Sequence, residues 1–241
     1  MPLIAAAAVA AGAAVQSATG FGFSLVAAPL VFATVGPEEA VGLLLVLGSQ
    51  VNLMTLATEG RRPRPVVREC AVVLAAALPG AFAGVAALRA LDPVALQVAV
   101  SIGVVATLAA RHLASGRRTP GWAAPIAGIT AGALSTSTTT AGPPLLVYLL
   151  GRELQAAQVR DSLTVCFIGL TVVSVVALAA TGTSRAVPDP WLVAILVPVV
   201  AAGHLAGRPL FAALARSRRY EPVVTTLLVI SVVAGLATAV Y

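Results

Sequence analysis

Apolar residues run through this chain in blocks long enough to cross a bilayer. The blocks run over 3–35, 40–58, 68–88, 94–110, 123–150, 162–180, 191–212 and 222–240, separated by short polar or glycine-rich stretches. Blocks of about 18 or more apolar residues predict membrane-crossing helices rather than strands. The first and fifth blocks are interrupted by polar breaks, Gln16 to Gly22 and Ser135 to Gly142. Shifted by 120 positions the two breaks superimpose, Gly12 on Gly132, Ser17 on Ser137, Thr19 on Thr139, Gly22 on Gly142 and Leu25 on Leu145. Pro79 with Gly84 likewise matches Pro198 with Gly203. The pattern predicts an all-α polytopic membrane protein, one transmembrane domain over 1–241, built from two repeats, 1–114 and 122–241, of about four units each. The N-terminal residues read as part of the membrane body rather than as a cleaved signal.

Composition narrows the class. Of the 241 residues 59% are hydrophobic and 10% charged, well below the roughly 25% of a soluble domain. All 15 basic residues are arginines, and the net charge of +6 needs no nucleic-acid partner, because basic loops mark the cytoplasmic side of a membrane protein. Cys70 and Cys166 lie in apolar runs and read as buried structural thiols. No metal-ligand spacing, phosphate loop or nucleophile motif is present, so neither an enzyme nor a cofactor is expected.

Residues 2–35 as one helix would span about 50 Å, beyond the ~30 Å hydrocarbon core. Each broken unit is therefore either one discontinuous crossing or a re-entrant hairpin. If each crosses once, the arginine-rich loops fall on alternating sides. If each is a hairpin, Arg61, Arg62, Arg64, Arg68, Arg111, Arg117, Arg118, Arg152, Arg160, Arg216, Arg218 and Arg219 share one side, opposed only by Arg89 and Arg185. The positive-inside rule favours the hairpins. Each repeat then has three full crossings, an odd number, so the repeats are inverted and the hairpins enter from opposite faces. Trp122 and Trp191 sit where interfacial anchors belong.

Irregular backbone at membrane depth must be buried in protein or line a polar cavity. Gly20 and Gly22 permit a left-handed turn. Pro143 suits the first turn of a helix, which Thr139, Thr140 or Gly142 can cap. Each break thus opens a half-helix whose N-terminal amides favour an oxyanion. Gln16, Ser17 and Thr19 in one copy, and Ser135, Thr136, Ser137, Thr138, Thr139 and Thr140 in the other, add side-chain donors, and the second break is the richer in threonine. The bland alternative is close packing by small residues, with hydroxyls bonded back to their own helices. Glu38, Glu39, Glu59, Glu69, Asp92, Glu153, Asp189 and Glu221 all lie in loops or at unit ends, and Asp161 only slightly inside. The absence of a deep carboxylate favours an anionic or neutral substrate. Gln50, Asn52, Arg160 and His204 are further substrate-binding candidates. Arg208, four residues after His204, shares its helix face.

With these residues the chain resembles the TauE/SafE family of sulfite and organosulfonate exporters and related anion permeases. The resemblance rests on TGFGFSLVAAPL and TAGPPLLVYLL, on PEEAVG and AAQVRDS after the breaks, and on Pro79/Gly84 and Pro198/Gly203/Gly207. It departs from that pattern where a triple glycine is reduced to Gly20 and Gly22, or replaced by Thr140, Ala141 and Gly142. It departs again where a Thr-Ser pair is Leu43-Leu44 in one half and Asp161-Ser162 in the other. The resemblance implies a multi-pass secondary transporter in a bacterial plasma membrane, carrying sulfite, thiosulfate or an organosulfonate by alternating access. Its partners would be that small anion and the lipid bilayer, with a homo-oligomer left open. A passive anion channel and a non-transport structural subunit are the alternatives.

Overall fold

The computed structural model describes residues 2–92, 95, 119–152, 154–216, 223 and 226. The expected units 94–110 and 222–240 fall almost wholly outside them. Among the described residues there are eight α-helices and no strand. They are α1 (Pro2–Thr19), α2 (Phe23–Val35), α3 (Pro37–Thr58), α4 (Val67–Ala90), α5 (Ala123–Ser137), α6 (Gly142–Leu150), α7 (Ala156–Ala180) and α8 (Pro190–Arg216), with a 3₁₀ turn at Ser184–Ala186 before α8.

Four helices, α3, α4, α7 and α8, are long and apolar enough to cross a bilayer. The 22 residues of α3 reach about 33 Å. The broken units yield shorter pieces: α2 has 13 residues, α5 has 15 and α6 has 9. The breaks are narrower than the polar pattern suggested. Gln16 to Thr19 and Ser135 to Ser137 remain helical, because several of their hydroxyls bond back to the preceding turn. Thr19 Oγ1 donates to the Val15 carbonyl at 2.8 Å and Ser137 Oγ to the Ala133 carbonyl at 2.8 Å. Only Gly20 to Gly22 and Thr138 to Ala141 leave the helix.

Both broken units are hairpins. Thr119, just before α5, donates its amide to the carbonyl of Gly151, just after α6, at 2.8 Å. In the first unit, Gly12 of α1 lies against the carbonyl of Phe23 at the head of α2. Val31, Phe32 and Val35 at the far end of α2 share a cluster with Ala6 and Val9.

Side-chain bonds fix the helix directions. Gln50 to the Val197 carbonyl and Thr58 to His204 align α3 with α8. Cys70 to the Ser162 carbonyl and Arg89 to the Thr181 carbonyl align α4 with α7. Ser49 bonds Thr171 at 3.2 Å while Glu59 pairs with Arg160 at 2.6 Å, so α3 and α7 run in opposite directions.

Two glycine seams join the halves. A Cβ at Gly80 or Gly84 of α4 would overlap the carbonyls of Ile129 or Ala133 of α5, and one at Gly128 or Gly132 those of Val73 or Ala77. Gly203 and Gly207 of α8 sit in the same way on Ala10 and Ala14 of α1. The paired glycines Gly84 and Gly203 thus each seat on the first hairpin arm of the other half. Small residues allow backbones in a membrane protein to approach this closely. The exterior is apolar, with Leu53, Ile126, Val172, Val175 and Leu205 exposed, while Ser17, Thr136, Ser174 and His204 are buried. That inside-out distribution suits lipid as the solvent. Trp122 and Trp191 stand exposed at the starts of α5 and α8.

Candidate functional site

At the first tip, Gly20 (φ 89°) and Gly22 (φ 101°) both take the left-handed conformation that the turn into α2 needs. Gln16 braces the turn. Its Oε1 accepts the amide of Phe23 at 3.2 Å and its Nε2 donates to Asn52 Oδ1 at 2.8 Å. The oxygens of both amides are thereby used. Asn52 keeps its Nδ2 hydrogens, for which no described residue supplies an acceptor. Below them, the amides of Ser24 and Leu25 head α2, where the helix itself offers no acceptor; the first intrahelical bond is Val26 to Gly22.

The second tip is built differently. Thr139 takes φ 59°, a costly conformation for a β-branched residue. The expected threonine cap is not formed: Ala141 stands at the N-cap of α6 with no side-chain cap bond. Thr138 and Thr140 hydroxyls bond each other at 2.7 Å instead. The prolines explain this. Gly142, Pro143 and Pro144 open α6, and two of the three have no amide for a cap to satisfy. The second tip therefore offers hydroxyls more than backbone donors.

The tips meet. A Cβ on Gly142 would lie 3.2 Å from Cδ2 of Phe21. Beside this contact is a cavity of about 50 Å³. Of the residues expected from the sequence, Gln16, Gly22, Asn52, Thr139, Thr140 and Gly142 line it. Ser135, a donor expected from the second break, also lines it, as do Ser24, Gly48, Phe167 and Thr171, which the sequence did not single out. Ser24 and Thr171 lie in apolar runs with no local signal, and only the meeting of α2, α3 and α7 brings them in. Among the described residues no carboxylate lines the cavity, and its polar side chains are amides and hydroxyls.

The other candidates do not line it. Ser17 bonds the His204 ring at 2.7 Å. Thr19 and Ser137 bond back to their own helices. Gly20 packs on the Arg160 side chain. Thr138 is engaged with Thr140, Pro143 is buried in the first turn of α6, and Gln50 reaches the Val197 carbonyl.

Arg160 is 2% exposed at the arginine-rich end of the bundle. Its guanidinium pairs with Glu59 at 2.6 Å, donates to the Ser17 carbonyl at 2.8 Å and stacks 3.8 Å over the Phe211 ring. Arg61 joins Glu59 at 2.6 Å and grips Asp161 through two bonds of 2.8 and 2.7 Å. The Asp161 bond raises the Arg61 pKa above its usual value against the opposing effect of burial, so this guanidinium stays charged across physiological pH. Arg89 sits at the other end on the Thr181 carbonyl. Cys70 and Cys166 are buried and free of disulfide.

No curated protein and no solved structure matches the chain significantly. A family model described as sulfite exporter TauE/SafE matches residues 4–235. Such proteins are multi-pass membrane anion transporters rather than enzymes, in keeping with the apolar helices and the uncharged, donor-lined cavity. The chain belongs to the TauE/SafE sulfite exporter family.

Proposed function

We propose that the protein is a secondary transporter of a compact sulfur oxyanion, sulfite or thiosulfate, in a bacterial inner membrane. The cavity between the two hairpin tips is its binding site. The observation that carries this reading is the convergence of both tips on one uncharged cavity. The antiparallel course of α3 and α7 and the two hairpins support inverted repeats with re-entrant first units. That architecture favours rocking of one half against the other and alternating access rather than an open pore.

Size selects within the substrate class. About 10–15 Å³ of such a cavity holds one water, so 50 Å³ takes roughly four small groups. Sulfite has four heavy atoms; taurine and sulfoacetate are too large without opening. A thermal-shift screen of the purified protein against sulfite, thiosulfate, sulfate, taurine and sulfoacetate tests this. The compact sulfur oxyanions should raise Tm, by about 2.7 kcal/mol of added stability at a hundredfold excess over Kd, and taurine should not. Stabilisation by taurine with none by sulfite would overturn the assignment.

A further inference from the structure

His204 is fully buried in α8, and its two ring nitrogens face in different directions. Nδ1 lies 2.7 Å from Ser17 Oγ, next to Gln16 at the cavity wall. Nε2 lies 3.1 Å from Thr58 Oγ1, at the end of α3 where the arginine clasp begins. The hydrogen positions follow from counting. Thr58 has one hydroxyl hydrogen and donates it to the Met54 carbonyl at 2.8 Å. Toward the ring it can only accept, so Nε2 carries a hydrogen. In a neutral ring Nδ1 is then an acceptor, and Ser17 donates to it.

Among the described residues, the charged groups acting on this ring are Arg160 from α7 and Arg208 from its own helix. Arg208 also donates to the Thr58 carbonyl. From α1 and α3 its hydrogen-bond partners among the described residues are the hydroxyls of Ser17 and Thr58. The nearest carboxylate in this network is Glu59, which is already held by Arg160 and Arg61. The ring thus sits beside two arginines and two hydroxyls, with Glu59 held in its own ion pairs. An anion in the adjacent cavity would offset those cations. A proton can then add to Nδ1, and Ser17 can turn its hydroxyl back to its own helix, as helical serines do.

We propose that His204 is the proton-carrying residue of the transport cycle, binding one proton with each anion. This rests on the transporter reading. The proton adds to the Nδ1 lone pair, giving an imidazolium whose charge accompanies the anion's. On release the proton leaves from either nitrogen, through Ser17 toward the cavity or through Thr58 toward the arginine-rich end. His204 would then be a coupling residue rather than a substrate ligand.

The chain has two histidines, so the H112Q protein leaves one imidazole for nitrogen NMR in micelles. At neutral pH without anion the ring should show the Nε2–H tautomer. Saturating sulfite should raise its protonation midpoint by about one pH unit, and sulfite should bind about tenfold tighter to the protonated form, since such coupling is reciprocal. In proteoliposomes, one coupled proton gives roughly tenfold accumulation of sulfite per unit of imposed pH gradient. H204Q keeps a donor for Thr58 and an acceptor for Ser17, and should exchange sulfite while losing that response. Sulfite's own protonation is common to both proteins and cancels in the comparison. If H204Q does not fold, the titration of the native ring still decides. Sulfite that stabilises the protein without moving the midpoint, or H204Q with a wild-type gradient response, overturns the coupling alone. Sulfite that neither stabilises the protein nor exchanges overturns the carrier reading, and the coupling with it.

Discussion

Asn52 presents its amino group to the cavity because Gln16 occupies its carbonyl. Asn52→Asp keeps the shape but replaces that donor with a negatively charged acceptor. A hydrogen bond to a charged ligand is worth about 1.5–3 kcal/mol, so sulfite affinity should fall about ten- to a hundredfold, read by thermal shift against sulfite concentration. Thr139 poses the opposite trade. Its left-handed backbone costs about 1–2 kcal/mol, partly offset by the freedom glycine adds to the unfolded chain. Thr139→Gly should therefore stabilise the protein by about 0.5–1 kcal/mol in thermal unfolding with little change in sulfite affinity, because the Thr139 hydroxyl already donates to the Thr138 carbonyl at 2.6 Å. At this scale the sequence pointed to Gln16, Gly22, Asn52, Thr139, Thr140 and Gly142 because polar residues and glycines stand out in apolar runs. Ser24 and Thr171 could not be found that way. Each is one hydroxyl on an otherwise apolar helix, and only packing aims it.

Among the elements, the glycine seams set what each helix tolerates. At Gly84 a Cβ would meet the Ala133 carbonyl and the Thr136 side chain, and backbone cannot yield as a flexible side chain can. Gly84→Leu should cost more than the 1–3 kcal/mol typical of overpacking, seen as lost monodisperse protein or a large fall in Tm. Gly60 meets nothing within 4 Å, but its φ of 66° makes it a poor control. Gly121, equally open and without that φ, should accept alanine with little change. Hydropathy located the long helices, with α3, α4 and α8 beginning within three residues of their expected starts and α7 beginning six residues earlier, at Ala156. It overstated the breaks, because serine and threonine read as polar yet satisfy themselves on their own helix. The hairpins were legible only through the arginines, and the Thr119–Gly151 bond closes the second one.

Across the whole molecule, Arg61, Arg160 and Arg208 gather at one end of the bundle and Arg89 at the other. Cysteines placed at the exposed positions Arg62 and Val187 should therefore react with a membrane-impermeant maleimide from opposite sides, Arg62 from the cytoplasm. Cys70 and Cys166, 3% and 1% exposed, should not compete for label. Reaction of both new cysteines from one side would contradict the orientation. The duplicated breaks and an odd number of crossings predict inverted halves, and labelling from opposite sides tests that relation. What the sequence could not show is that Phe21 of one tip touches Gly142 of the other. That contact spans more than a hundred residues and depends on both seams.

The account stands on the two tips forming one anion site, and Gly142 lies where they touch. Gly142→Leu would push its side chain into Phe21, Phe167 and the cavity. The direct measurement is counterflow of radiolabelled sulfite into proteoliposomes bearing equal amounts of inserted wild-type and Gly142→Leu protein. Exchange by the wild type and background rates from the variant are predicted. Wild-type exchange by a correctly inserted Gly142→Leu protein would remove the site from the hairpin tips.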